Sequence, residues 1–118
     1  KGKKITKKDV MDYSKKRVGR KIVVVTDTRP IKATITNAKD ADLLIHETTF
    51  LDEHKDKAIE ALHSTTTEVA EIAKKAKVKK LVAVHFSARI NDTKEISKQV
   101  KKIFPNIIVA KDFDEIKL

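Results

Sequence analysis

KIVVVT, residues 21–26, is too short for a helix and too apolar for a surface loop, and it runs straight into Asp27. Two further stretches share this form. DLLI at 42–45 runs into His46 and Glu47, and KLVAV at 80–84 runs into His85. Each is a short run rich in branched aliphatic residues with polar flanks, the pattern of a buried strand. A fourth run, NIIVA at 106–110, follows Pro105, and Glu115–Leu118 reads as a last edge strand.

Helical patterns fill the intervals. Pro30 suits the first turn of a short helix with apolar points at Ile31, Ile35 and Ala38. Leu51, Lys55, Ala58, Ile59 and Leu62 share a second helical face. Thr65 with Glu68 three residues on forms a capping box that opens a third helix, whose face is Val69, Ile72, Ala73 and Ala76. A fourth helix is expected to start near Asp92, with Glu95 in the matching place, and to bury Ile96, Val100, Ile103 and Phe104. Strands alternating with helices imply an α/β fold with parallel or mixed pairing and right-handed crossovers. The 118 residues read as a single domain without repeats or linkers, preceded by a basic lead-in at 1–20 that has weak apolar points at Ile5 and Val10–Met11.

Composition narrows the function classes. The chain has no cysteine, so neither a disulfide scaffold nor a thiolate metal site can be built from it, and any metal would be held by His, Asp or Glu. No apolar run approaches the roughly 18 residues that span a bilayer, and no signal peptide is visible. A cytoplasmic location away from membranes is expected. The net charge is +10, from 27 basic and 17 acidic side chains, which favours a polyanionic partner. The lysines are spread along the chain, however, and high Lys and Glu content also marks heat-adapted proteins. With one Tyr and four Phe, a stacking platform for single strands is not expected. The chain begins at Lys1 in a polar stretch, and is read as a fragment or a processed piece.

The chemistry sits where the strands end. Asp27, the His46–Glu47 pair and His85 each follow a strand, and in α/β sheets sites form beyond the carboxyl ends of strands. His63 immediately precedes the capping box, at a helix start, so all four groups can converge on one sheet edge. Taken singly, an Asp after a strand is ordinarily a turn or cap residue, and a lone His a hydrogen-bonded structural group. The joint pattern points to a site. His54, among charged neighbours, reads as surface.

Four strings in order, TDTRP at 26–30, HETTF at 46–50, HST at 63–65 and HFSAR at 85–89, resemble the C-terminal motifs of the ribonuclease Z family. The resemblance runs from about Gly19 onward. It implies the C-terminal half of a metallo-β-lactamase αββα sandwich, and a zinc-dependent endoribonuclease that removes the 3′ trailer of pre-tRNA. Asp27 matches the carboxylate that bridges two Zn²⁺ ions, and His85 an imidazole ligand of one of them. His63 matches the catalytic histidine that assists the leaving group, and Glu47 the acidic residue that orients it. Ser64, Thr65 and Arg89 fall in motifs placed to meet phosphate or RNA, although capping accounts for Thr65 equally well. His46 reads as a buried supporting group. The chemistry is consistent. Two oxygens of one carboxylate can serve two cations, and a histidinium held by a carboxylate can protonate a leaving oxygen.

Thr26 stands where the family usually has Gly, and Ile90 where it often has Tyr. The family's His-x-His-x-Asp-His motif and its tRNA-gripping arm are absent from the sequence. The missing N-terminal half is therefore an expected partner, two zinc ions are expected only in the complete site, and this chain alone is expected to be inactive. A homodimer is also expected, and a piece of a two-sheet sandwich would expose one apolar sheet face. Other metallo-β-lactamase-fold phosphodiesterases, or a non-catalytic basic RNA-binding module, are the competing readings.

Overall fold

The computed structural model describes residues 19–118. The apolar points expected at Ile5 and Val10–Met11 lie outside the described residues. In chain order the elements are β1 (Ile22–Val25), α1 (Lys32–Asn37), β2 (Leu43–Glu47), a 3₁₀ turn (Asp52–His54), α2 (Lys55–Ala61), α3 (Thr66–Ala76), β3 (Leu81–Val84), α4 (Lys94–Lys101) and β4 (Ile107–Val109). The strands form one sheet in the order β1-β2-β3-β4. All three pairings are parallel.

Register decides which residues share a face. Leu44 pairs with Leu81, and Leu81 with Ile107, so these point to one side. That side carries the core. Leu44, Leu81 and Ala83 pack with Val69, Ala70 and Ala73 of α3 and with Ile96 and Val100 of α4. The periodicity of α3 is met in full: Val69, Ile72, Ala73 and Ala76 are all buried, behind a capping box in which Thr65 and Glu68 each accept from the other's backbone N–H. The opposite sheet face is apolar too. Its exposure is concentrated on β1, where Ile22 is 51% and Val24 61% exposed, whereas Leu43 and Val82 further in are buried.

Four local expectations need correction. Glu115–Leu118 is not a strand. Pro30 lies before α1, not in its first turn, because Ile31 is extended and serves as the N-cap. Ile59 and Leu62 do not join Ala58 in the core but are 52% and 66% exposed. Leu62 is the left-handed cap that ends α2, with φ 59°, so the helical period stops one residue short of it. The fourth helix starts two residues later than Asp92. Asp92 accepts from the Lys94 N–H at 2.9 Å, but Glu95 returns no bond, and Ile103 and Phe104 follow the helix as half-buried residues.

Candidate metal and acid–base site

The carboxyl ends of β1, β2 and β3 lie side by side because the three strands pair in parallel. Asp27 follows β1, Glu47 closes β2 opposite Val84, and His85 follows β3. His63 reaches the same place from the link between α2 and α3. Its backbone N–H donates to the Ala58 carbonyl at 2.8 Å, one turn back past the left-handed Leu62, so the chain reverses there. The loops are laced together. Thr48 N–H donates to the Val84 carbonyl, Ser87 N–H to Thr49, Phe50 N–H to Ser64, and Thr66 N–H to Phe50.

Asp27, His63 and His85 each offer a ligand-type atom, and these atoms lie within 4.8 Å of one another. Asp27 Oδ1 is 4.0 Å from His63 Nδ1 and 3.8 Å from His85 Nε2. The two imidazoles stand 5.2 Å apart between centroids. Asp27 and His85 hold left-handed backbones, φ 47° and 58°. That conformation costs a residue with a side chain about 1–2 kcal/mol, less for Asp, and Asp40, Leu62, Lys77 and Phe113 hold it too, away from this group.

Glu47 is fully buried behind this group. Its Oε1 accepts from Ser64 N–H at 2.7 Å, and its Oε2 from Thr49 N–H at 3.1 Å and the Thr49 hydroxyl at 2.5 Å. His63 Nδ1 faces Glu47 Oε1 at 3.6 Å, just beyond bonding distance, and is a buried nitrogen without a hydrogen-bond partner among the described residues. His46 is also buried, but on the helix-covered face. Its Nδ1 lies 2.7 Å from the Glu47 carbonyl, which can only accept, so that nitrogen carries the ring proton. Burial pushes the His46 pKa below its ordinary value, outweighing the Glu47 carbonyl and carboxylate that raise it.

Of the three residues expected to meet phosphate, only Arg89 is exposed. It lines a shallow groove with Phe50, Lys57, Glu60, Ala61 and Ser87, and the Phe50 ring is 6.2 Å from that of His63. Ser64 and Thr65 are placed differently from Arg89. Both are buried, Ser64 Oγ donates to the Thr28 carbonyl at 2.6 Å, and the Thr65 hydroxyl is the helix cap. Their polar groups fasten loops.

Thr49 and Arg29 are among the residues inside the quoted strings that the sequence leaves without a role. Thr49 bridges Glu47 to His85, its Oγ1 2.9 Å from His85 Nδ1. Arg29 donates to the His63 carbonyl at 2.7 Å and forks onto Glu68 at 2.8 and 2.6 Å. Burial is the largest single influence on Glu68 and raises its pKa, but the Arg29 and Thr65 hydrogen bonds together hold it below the usual range. Nothing in local periodicity could show a pairing between residues 29 and 68.

A model of the beta-lactamase superfamily domain matches residues 2–86, and the chain belongs to that superfamily. Its fold is similar to that of the metallo-beta-lactamase fold protein YhfI from Bacillus subtilis, with TM-score 0.66 and 26% identity over 73% of this chain and 35% of that one. Within the superfamily the likeness is to ribonuclease Z. The chain is 50% identical to Ribonuclease Z of Gemmatimonas aurantiaca over 104 residues, 87% of this chain and 33% of that protein. It is 46% identical to Ribonuclease Z of Archaeoglobus fulgidus over 96% of this chain and 37% of that protein. The structure of human tRNase Z, short form, superimposes with TM-score 0.67 and 35% identity over 84% of this chain and 34% of that one. The chain thus spans about a third of the length of the curated relatives it matches.

Proposed function

We propose that the chain forms part of a metal-dependent phosphodiesterase that trims the 3′ end of pre-tRNA. The observation that carries this is the convergence of Asp27, His63 and His85 at the ends of neighbouring loops, with Glu47 buried behind them, in a chain similar to ribonuclease Z along most of its length.

The donor set fits a metal. One carboxylate and two imidazoles are ligands that zinc takes readily, and their donor atoms lie within 4.8 Å of one another. Asp27 and His85 would hold the metal, with two zinc ions in the complete site. A metal pair there would supply Lewis-acid polarisation of the phosphate and a more acidic attacking water.

The remaining chemistry belongs to the chain. His63, as the imidazolium, gives a proton to the leaving 3′ oxygen of the tRNA. Glu47 faces His63 Nδ1, and closing their 3.6 Å separation to bonding distance would orient the ring and stabilise its charged form. The products are a tRNA with a 3′ hydroxyl and a 5′-phosphorylated trailer. Arg89, exposed on the groove beside Phe50, offers a bidentate contact to a phosphate of the substrate. The complete enzyme acts in the cytoplasm as a homodimer, and this chain alone does not cut RNA.

A second reading makes His63 a third ligand, favoured by the 4.8 Å closeness of the three donors. The deciding measurement is elemental analysis of the chain, alone and with the amino-terminal part of a ribonuclease Z relative added. About two equivalents of metal only in the joint preparation are expected, as a two-metal site requires. His63→Ala should then leave metal content intact while slowing cleavage; loss of metal would favour the second reading. Stoichiometric metal on the chain alone would overturn the assignment of two ligands. Absence of metal from both preparations would favour a non-catalytic RNA-binding module, whose salt-sensitive RNA binding survives Asp27→Ala and His85→Ala.

A further inference from the structure

The Thr49 hydroxyl stands between the two halves of the site, 2.5 Å from Glu47 Oε2 and 2.9 Å from His85 Nδ1. A hydroxyl has a single hydrogen to give. Both Glu47 oxygens already accept from N–H donors, Ser64 N–H on Oε1 and Thr49 N–H on Oε2. In the short oxygen–oxygen contact the Thr49 hydroxyl donates to Glu47 Oε2. With its only hydrogen committed, Thr49 Oγ1 can meet His85 Nδ1 only by accepting. The hydrogen in that second contact belongs to the imidazole, and His85 Nε2 is left with its lone pair. Nε2 is the nitrogen that lies 3.8 Å from Asp27 Oδ1.

We propose that Thr49 is a positioning residue whose hydroxyl ties the buried Glu47 carboxylate to the His85 ring and holds that ring as its Nδ1–H tautomer, with the Nε2 lone pair turned towards Asp27. A solvated imidazole leans the other way, towards Nε2–H. Without Thr49, the nitrogen facing Asp27 would more often carry a proton and have no lone pair to give. One threonine thus sets two groups at once: the carboxylate that faces His63, and the imidazole beside Asp27. The purpose assigned to the tautomer rests on His85 being a metal ligand, but the tautomer itself does not.

The test is nitrogen-15 NMR of the histidine ring nitrogens in the full chain. It is run with chelator present and at a pH where imidazole is neutral. The expected result is a His85 with a protonated Nδ1 and an unprotonated Nε2. Thr49→Val should move the tautomer ratio roughly 3- to 10-fold towards Nε2–H, the weight of one buried hydrogen bond. Thr49→Ser, which keeps the hydroxyl, should keep the ratio. Ile96→Ala weakens the core without touching the network and should also leave it unchanged, which separates positioning from general loosening of the fold. A predominantly Nε2–H His85 in the parent chain overturns the proposal outright, and so does a Thr49→Val ratio equal to the parent's. Should Thr49→Val fail to fold, the parent and the serine variant still decide. Neither metal loading nor RNA cleavage enters these readings, so a failure of the nuclease assignment would be seen separately.

Discussion

Replacing Arg29 should loosen the site without touching any residue proposed to do chemistry. Its guanidinium makes three bonds, two to Glu68 and one to the His63 carbonyl. The pair is largely shielded, with 25% of the Arg29 side chain and 14% of the Glu68 side chain exposed. Breaking a buried pair by removing one partner costs about 3–5 kcal/mol. Residual exposure lets water reach the orphaned carboxylate, so Arg29→Met should cost about 2–3 kcal/mol, in line with charged hydrogen bonds at about 1.5–3 kcal/mol each that do not add in full. For a domain of this size that is a fall of roughly 10–20 °C in Tm, read by circular dichroism. Arg29→Lys is the sharper variant. An ammonium is a point charge and cannot fork onto Glu68 while also reaching the His63 carbonyl, so about half the loss should remain. Amide exchange should show where the loss falls. With the His63 carbonyl untethered, protection at Ser64, whose N–H donates to Glu47, should drop more than protection in the β2–β3 ladder. Crossing Arg29→Met with Glu68→Gln should give a coupling of about 1–3 kcal/mol. A coupling near zero, or an Arg29→Met chain within about 0.5 kcal/mol of the parent, would refute the claim that this pair fastens the His63 loop.

Three further expectations follow from local geometry. Thr65→Ala removes a cap whose side chain and reciprocal Glu68 bond are both in place, and chemical denaturation should show a loss of about 1 kcal/mol. At His85, φ is 58°, so His85→Gly should unfold at higher denaturant than His85→Ala, by about 1 kcal/mol; the reverse order would mean that the left-handed backbone carries no strain. Acid should destabilise the chain in two steps. His46 is held below its ordinary 6.5, so the unfolded chain binds the proton first, and stability declines as pH falls below about 6.5 towards the lowered folded value. Glu68 is held below its ordinary 4.5, so its contribution is whole above that value and is lost as pH falls through the lowered one. A pH titration of unfolding free energy in which His46→Gln keeps the upper step would count against the first assignment.

The sheet was legible because its strands are buried on the helix side and flanked by polar residues, a contrast that survives in sequence. Helix α3 was legible because its cap and its period agree. Elsewhere the two signals parted. Leu62 continues the period of α2, but the chain leaves the helix there through a left-handed residue, and sequence periodicity carries no record of φ. Glu115–Leu118 alternates charged and apolar residues as an edge strand does, yet it pairs with neither open edge of the sheet, β1 or β4, and a local pattern does not say whether an available edge is used. Ile22 and Val24 were expected inside a strand, and they are; their exposure at the sheet edge depends on what else lies against that face, which a local pattern cannot report.

The site divides in the same way, and the division shows how it is built. Asp27 and His85 could be found because each follows a strand and Glu47 because it ends one, and parallel pairing then places strand ends together with no further information. His63 could be found because it precedes a capping box. What could not be found is how these groups are held. Thr49 reaches 36 residues along the chain to His85, and Arg29 reaches 39 residues to Glu68. Ser64 and Thr65 invited a ligand role by their place before a helix, yet their bonds go to Thr28, Glu47 and Glu68. Polar residues near a site are as often its fastenings as its working groups, because buried loops must satisfy their own backbone before they can present anything to a substrate. Here the fastenings are threonine, serine and arginine, and the groups brought together in front of them are Asp27, His63 and His85. One carboxylate and two imidazoles within 4.8 Å of one another form a donor set that a cation fits.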